Sequence, residues 1–218
     1  MPKIFAPLAV VAALMLAYAP VAVAGAPYES TMLLVQKIFY FHISSWIAMS
    51  AAITVCALGS AVYLFTSSEK ADHYGFAGAE LTLIFCTFGL VSGSLWARKA
   101  WGQWWQWVAK LSMALMLELV FVGYLLVRKY AGPGSEKLAA AMGIFGAATA
   151  PFIYKAADWW RTIHPKTSVV PTLKPAMWNV VWFCASAFLL LFVLLLMMRV
   201  RLEERRAELD RLYLEADA

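Results

Sequence analysis

Six long apolar runs, separated by short polar links, constrain this chain more than any other feature of its sequence. A helix needs about 20 mostly apolar residues to cross the hydrocarbon core of a bilayer. Hydrophobic residues make up 63% of the 218 residues and charged residues only 14%, which excludes a soluble domain of this size. The sequence therefore predicts an all-α polytopic membrane protein, a single bundle of six transmembrane helices over residues 1–218. The predicted spans are 4–23, 40–65, 76–95, 111–127, 137–154 and 176–198.

The first apolar run admits two interpretations. Lys3, the apolar stretch after it and the small residues from Ala22 to Ala26 are typical of a signal peptide with a cleavage site. The stretch is about 20 residues long, however, which is long for a signal core and sufficient for a span. We favour a retained helix. Cleavage would leave five spans and would not change the sidedness of the rest of the chain.

The distribution of Lys and Arg predicts the orientation. With the N-terminus inside, the basic cluster from Arg199 to Arg211 directly follows the last span on the inner side, which favours this arrangement. Both termini are then cytoplasmic, and the link between the third and fourth spans faces the outer side of the membrane. Residues 199–218, rich in Glu/Arg pairs at helical spacing, are predicted to continue the last helix as a cytoplasmic tail. The outer links are unusually basic, which fits either an acidic ligand or neighbouring lipid headgroups.

Tryptophan is concentrated in the link between the third and fourth spans, which reads L-W-A-R-K-A-W-G-Q-W-W-Q-W-V-A-K. Interfacial belts place Trp at both membrane surfaces, so a one-sided cluster exceeds what anchoring requires. Flat π-faces beside Arg98, Lys99 and Lys110 suit a large, flat, partly anionic ligand. The tryptophan run, as we name this group, consists of Trp96, Trp101, Trp104, Trp105 and Trp107.

Two of the three histidines are predicted to lie at the same membrane surface as the tryptophan run. His42 stands in F-Y-F-H-I-S-S-W at the outer end of the second span, and His164 stands in W-W-R-T-I-H-P before the last span. A single interfacial histidine is more often a simple anchor. Two imidazoles from different segments can, however, ligate both faces of a haem iron. His73, in a short inner link, is interpreted as an ordinary solvated residue.

The cysteines exclude two kinds of chemistry. Cys56, Cys86 and Cys184 lie in apolar spans, and none forms a C-x-x-C or C-x-x-C-H pattern. The chain therefore neither attaches haem covalently nor resembles a thiol oxidoreductase. No residue is predicted to be catalytic, and the protein is not predicted to be an enzyme.

The segment W-G-Q-W-W-Q-W, Trp101 to Trp107, resembles the tryptophan-rich WWD motif of the CcmC–CcmF–CcsA haem-handling proteins of cytochrome c biogenesis. Six spans, a motif between the third and fourth, and a histidine on each side of it are most similar to the heme exporter protein C subfamily, CcmC. The resemblance implies haem b at the outer leaflet, with His42 and His164 as axial iron ligands and the tryptophan run as its platform. It also implies delivery of haem to a periplasmic haem chaperone, CcmE, beside an ATP-driven CcmA–CcmB pair and the small membrane protein CcmD.

A haem held in this way has two propionates, which carry negative charge. We expect them to face Arg98, Lys99 or Arg161, where charge-assisted hydrogen bonds are available.

The chain departs from the motif directly after its tryptophans. The family continues W-D-x-R-L-T, whereas here Val108 stands in place of the Asp, Lys110 in place of the Arg and Ser112 in place of the Thr. Lys110 keeps the positive charge but lacks the planar fork that suits a carboxylate. The histidines and tryptophans are retained, so the departure bears on the hand-over of haem rather than on its binding.

Two other classes of function stay open at this point. A membrane cytochrome b that transfers electrons between two stacked haems needs four histidines within its spans, whereas this chain has three in all. A structural subunit would use the tryptophans as an interfacial belt, which leaves their one-sided clustering unexplained.

Glu118 is an unusual residue for a simple membrane anchor, because it lies near the middle of the fourth span. An ionisable group there costs about 2.5–3.5 kcal/mol on insertion scales. It is predicted to face the bundle, either as a link between helices or as part of a proton or ligand path.

Overall fold

The computed structural model describes residues 2–28, 33–160, 164 and 173–217. These residues form six α-helices and a 3₁₀ turn at Leu34–Lys37, before the second helix. All six helices are long and apolar enough to cross a membrane, which confirms the predicted all-α polytopic membrane protein. The helices are α1 (Phe5–Gly25), α2 (Ile38–Thr66), α3 (Glu69–Trp101), α4 (Ala109–Tyr130), α5 (Ser135–Trp159) and α6 (Pro175–Ala216).

Two helices extend well beyond the predicted spans. α3 has 33 residues and α6 has 42, which correspond to about 50 and 63 Å at a rise of about 1.5 Å per residue. The hydrocarbon core is only about 30 Å thick, so the ends of both helices lie outside it. α6 continues without a break through residues 199–216, the segment that was predicted to be a helical tail.

α1 packs along α6. Its buried residues Ala12, Ala19 and Val23 are small, which lets the two helices approach closely. Tyr18 meets Phe183 edge to face, with 5.7 Å between the ring centroids. The helix is therefore part of the bundle, and its retention in the mature protein stays a prediction.

α2 and α3 pack closely because glycines let their backbones touch. A Cβ on Gly59 would come within 2.5 Å of the backbone nitrogen of Gly75, and one on Gly78 would come within 2.5 Å of that of Cys56. Close backbone approach of this kind drives helix association in lipid, where burial of apolar side chains supplies no net force. The chain reverses between the two helices at Ser67, whose φ is 54°.

The tryptophan run is divided between helix and loop, whereas the sequence predicted that all of it lies in an outer link. α3 continues through Trp101, so Trp96 and Trp101 are helical, and only residues 102–108 connect α3 to α4. Most of the residues 97–100 are good helix formers, and Gly102 follows the helix with φ of 76°. Two tryptophans are thus fixed on a rigid element, and the other three lie in the loop.

Ion pairs join α3, α4 and α6 at the end of the bundle opposite the tryptophan run. Arg128 binds both carboxylate oxygens of Asp72, at 3.0 and 2.7 Å, and Arg199 binds Glu80 at 2.6 Å. Both guanidinium groups also lie over the ring of Phe76, 5.1 and 5.9 Å from its centroid. These contacts stabilise the packing of three helices at the end predicted to be cytoplasmic.

Glu118 links α4 to α3 within the bundle. The hydroxyl of Thr87, on α3, donates a hydrogen bond to its Oε1, and its Oε2 is buried. This contact favours the interpretation of Glu118 as a link between helices.

Candidate functional site

The end of the bundle that carries the tryptophan run contains a cavity of about 770 Å³. Small-molecule sites are typically about 300–1,000 Å³ and mostly apolar, with few polar groups. Residues of α2, α3, α4, α5 and α6 all contribute to its walls. The predicted site residues that line it are His42, His164, Trp96, Trp101, Trp104 and Trp105.

His42 lies on α2, and its imidazole is buried against α3. Its Nδ1 is 3.1 Å from the Oγ of Ser92, and its Nε2 accepts a hydrogen bond from the Nε1 of Trp46 at 3.2 Å. A Cβ on Gly93 would come within 3.0 Å of the Cε1 of His42, so glycine leaves room for the ring. The ring of Trp96 lies edge-on, with 5.7 Å between centroids. The position of this imidazole is therefore defined by both helices.

His164 lies in the connection between α5 and α6 and is half-buried. It lines the same cavity as His42 although it is not part of a helix. Arg161, which was predicted to face a propionate, lies outside the described residues. The two histidines thus reach the cavity from different kinds of segment, one from a helix and the other from the connection between two helices.

The tryptophans of the run differ in their surroundings. Trp96 is buried and stacks on Trp101, with 6.4 Å between centroids and 16° between the planes. Trp105 meets Trp107 edge to face at 5.8 Å, and Trp104 is exposed. Trp107 is 78% exposed. It is the one tryptophan of the run that does not line the cavity, as far as the described residues show.

Among the described residues of the cavity wall, the Lys and Arg residues are Lys110 and Lys174. Arg98 instead donates a hydrogen bond to the carbonyl oxygen of Gly102, at the end of its own helix. Lys99 is exposed on α3, and within the described part of the chain neither it nor Arg98 lines the cavity. The sequence singled out Lys110 by its place in the motif. Lys174 carries no such signal, because it is simply the residue before α6.

Sequence reasoning also missed two further tryptophans of the cavity wall. Trp178 and Trp182, one turn apart on α6, stack with 5.8 Å between centroids and line the cavity. Their spacing of four residues places them on one face of a helix, which was a usable signal. Ser92 had no signal of this kind, since 50 residues separate it from His42.

The remaining histidine and the cysteines are not among the described residues that line the cavity. His73 is on α3 beside Asp72, at the opposite end of the bundle. Cys56, Cys86 and Cys184 are buried free thiols. Among the described residues, no group of three or more His, Cys, Asp and Glu side chains could hold a metal ion. The iron of a haem is coordinated by the four porphyrin nitrogens and needs only axial ligands from the protein. His42 and His164 could supply them.

The family model described as heme exporter protein C matches residues 1–214. The chain belongs to this family. The heme exporter protein C of Escherichia coli K12 is 28% identical over 191 residues, which cover 82% of this chain and 76% of the relative. That of Bradyrhizobium diazoefficiens is 30% identical over 176 residues, covering 77% and 66%. A putative cytochrome c biosynthesis ccmC-like mitochondrial protein of Marchantia polymorpha is 27% identical over 134 residues, covering 61% and 57%.

Membership of the heme exporter protein C family confirms the resemblance that the motif W-G-Q-W-W-Q-W indicated. It assigns the chain a role in haem handling for cytochrome c biogenesis, carried out by a multi-pass membrane protein. Haem is therefore the ligand against which the cavity has to be assessed.

Proposed function

We propose that this protein binds haem b at the outer face of the bacterial inner membrane and delivers it to the periplasmic haem chaperone CcmE during c-type cytochrome maturation. The observation that supports this most directly is the convergence of His42 and His164, from separate segments, on one tryptophan-walled cavity. The CcmA–CcmB transporter and CcmD are its expected membrane partners.

The walls of the cavity suit the macrocycle and the iron. Haem is flat and largely apolar, and contact with aromatic rings contributes about 0.5–1.5 kcal/mol per pair beyond the burial of area. The stacked pairs Trp96–Trp101 on α3 and Trp178–Trp182 on α6 provide such rings in the cavity wall. His42 and His164 would supply the axial nitrogens.

The propionates need positive charge, and in the described part of the wall Lys110 and Lys174 offer it. We propose these two lysines as the first partners of the propionates. Arg98, Lys99 and Arg161 stay predicted partners from the sequence. An ammonium group binds a carboxylate as a point charge without fixing its orientation, which suits a protein that has to release its ligand.

The two histidines lie in different kinds of segment, and this difference bears on how haem is released. His42 is packed between α2 and α3, whereas His164 belongs to the connection between α5 and α6. A residue outside a helix can change position without breaking the backbone hydrogen bonds of that helix. We therefore expect His164 to leave the iron first, which opens one face of the haem to a ligand of the acceptor.

The charge distribution supports the outer location. The basic cluster from Arg199 to Arg211 lies at the end of the bundle away from the cavity, and such clusters stay on the cytoplasmic side. Both termini are then cytoplasmic, and the cavity faces the periplasm.

The proposal is tested by the absorption spectrum of the detergent-purified protein, recorded before and after dithionite, followed by mixing with a haem-free chaperone of the CcmE type. We expect a Soret band with low-spin character that moves to the chaperone. A protein without a Soret band would contradict haem binding. A Soret band that stays with the protein would instead support the electron-transfer cytochrome.

A further inference from the structure

The nitrogen of His42 that would face the iron already has a partner within the protein. Nε2 of His42 is 3.2 Å from Nε1 of Trp46. The indole N–H can only donate, so Nε2 must be the unprotonated nitrogen of the imidazole. Nδ1 then carries the proton of the neutral ring and donates it to the Oγ of Ser92, 3.1 Å away. The hydroxyl of Ser92 in turn donates to the carbonyl oxygen of Phe88 at 2.8 Å.

Both partners belong to the packed interface between α2 and α3. Trp46 lies one turn after His42 on the same helix, and its ring packs on Gly89 so closely that a Cβ there would come within 2.8 Å of it. Ser92 lies one turn further along α3 and is buried. The chain Trp46–His42–Ser92 is therefore part of the helix interface and not a chance contact of exposed side chains.

We propose that Trp46 occupies the coordinating nitrogen of His42 as an internal competitor of the haem iron, and that Ser92 fixes the ring proton on Nδ1 so that Nε2 is the nitrogen offered. This inference rests on the proposed function, since it assumes that His42 ligates iron. When haem binds, the N–H···N hydrogen bond from Trp46 breaks and the bond from Nε2 to iron forms. No proton moves, because Trp46 keeps its own and Nδ1 keeps the one shared with Ser92.

Such a competitor would suit a carrier. If the lone pair of a histidine is free, the whole free energy of the iron bond contributes to haem binding. For His42, only the difference between that free energy and the free energy of the lost hydrogen bond contributes. On release, Trp46 returns to Nε2, so that a buried nitrogen is not left without a partner. Ser92 is thus a positioning residue that acts on haem through His42. Trp46 acts through the same nitrogen and also lines the cavity itself.

The first experiment titrates the full-length, detergent-purified protein with haemin and follows the Soret band. Trp46→Phe keeps an aromatic ring and removes the N–H. A hydrogen bond of this kind contributes about 0.5–1.5 kcal/mol net, so we expect the dissociation constant to fall about two- to tenfold. Ser92→Ala should raise the dissociation constant. Trp159→Phe is the matched control, because Trp159 is exposed at the end of α5 and is outside the cavity wall as described.

A second measurement needs no haem. Nitrogen-15 spectra of the protein labelled on histidine distinguish a protonated from an unprotonated ring nitrogen, and His42→Ala identifies the signals of His42. We expect His42 to be protonated at Nδ1 alone, its Nε2 signal to shift in Trp46→Phe, and the mixture of ring forms to change in Ser92→Ala. A wild-type His42 protonated at Nε2 would overturn the inference.

The outcomes separate this inference from the function on which it rests. If His42→Ala leaves the haem spectrum unchanged, the ligand assignment and the inference fall together. If His42→Ala removes the low-spin spectrum while Trp46→Phe binds haemin no more tightly than wild type, the inference alone falls.

Discussion

The indole rings of Trp96 and Trp101 stack with 6.4 Å between their centroids and 16° between their planes. Both lie on α3, so this pair is built on a helix rather than on the loop that follows it. Trp96 also meets the ring of His42 edge-on at 5.7 Å. Trp96 therefore contacts both the proposed iron ligand and Trp101, and both tryptophans line the cavity.

The unequal burial of the tryptophans predicts unequal costs of truncation. Trp96 is 8% exposed and Trp104 is 57% exposed. Trp96→Ala should lower the free energy of unfolding by about 3–5 kcal/mol, because it opens a cavity beside His42. Trp104→Ala should change it by no more than about 0.5 kcal/mol. Thermal unfolding of both variants in the same detergent measures the difference, and equal losses of stability would contradict this account.

The ligation proposal predicts different results for the three histidines. Replacing His42 or His164 with Ala should lower haem occupancy or abolish the low-spin spectrum, since each would leave one face of the iron without its imidazole. His73→Ala should keep the wild-type spectrum, because His73 lies at the other end of the bundle. Absorption spectra of the purified variants decide the matter. Equal effects of all three substitutions would refute the assignment.

The orientation is tested by single cysteines in a background that lacks Cys56, Cys86 and Cys184. A cysteine at Gln103, in the exposed loop after α3, should react with a membrane-impermeant thiol reagent added from the periplasm. A cysteine at Ser68, in the connection between α2 and α3 at the other end of the bundle, should not react. A cysteine at Lys166, which lies outside the described residues, is also expected to react. A cysteine at Glu208 is expected not to react. The reverse labelling would place the cavity on the cytoplasmic side.

The sequence predicted the number and nature of the helices because length and hydropathy alone decide whether a segment can span a membrane. It placed Trp96 and Trp101 in a loop, since their polar neighbours Arg98 and Lys99 suggested the end of a span. In the structure the helix continues beyond the apolar segment through Trp101, and Gly102 is its C-cap. The charged side chains of Arg98 and Lys99 indicate where the membrane surface lies, whereas Gly102 indicates where the helix ends.

Individual side-chain contacts of the site were predictable only where the two residues are near one another in the chain. Trp46 stands one turn from His42 in the sequence, so their contact could be read from helical spacing. The contact of His42 with Ser92, and the approach of Lys174 to the cavity, depend on how distant helices pack. Neither follows from local pattern.

Val108 has a structural role that the comparison of motifs alone does not reveal. It is the N-cap of α4, with φ of −98° and ψ of 155°, and its side chain makes no capping hydrogen bond. Its carbonyl oxygen accepts the first bond of the helix, from the N–H of Ser112 at 3.0 Å. Asp is among the best N-cap residues, because its carboxylate accepts from the backbone N–H groups of the first turn. The acid that the motif places here would therefore cap the helix that begins beside the cavity.

Val108→Asp should consequently stabilise the protein by about 0.5–2 kcal/mol and add a negative charge between Trp107 and Lys110. If the missing charge limits the hand-over of haem, the variant should raise the amount of haem that appears on a CcmE-type acceptor per unit of holo-protein, with nearly unchanged occupancy. Val108→Asn is the matched control, because Asn caps a helix about as well without the charge. A gain in transfer that is equal in both variants would assign the effect to the cap. No gain, or a fall, would mean that this chain hands over haem without the acid of the motif.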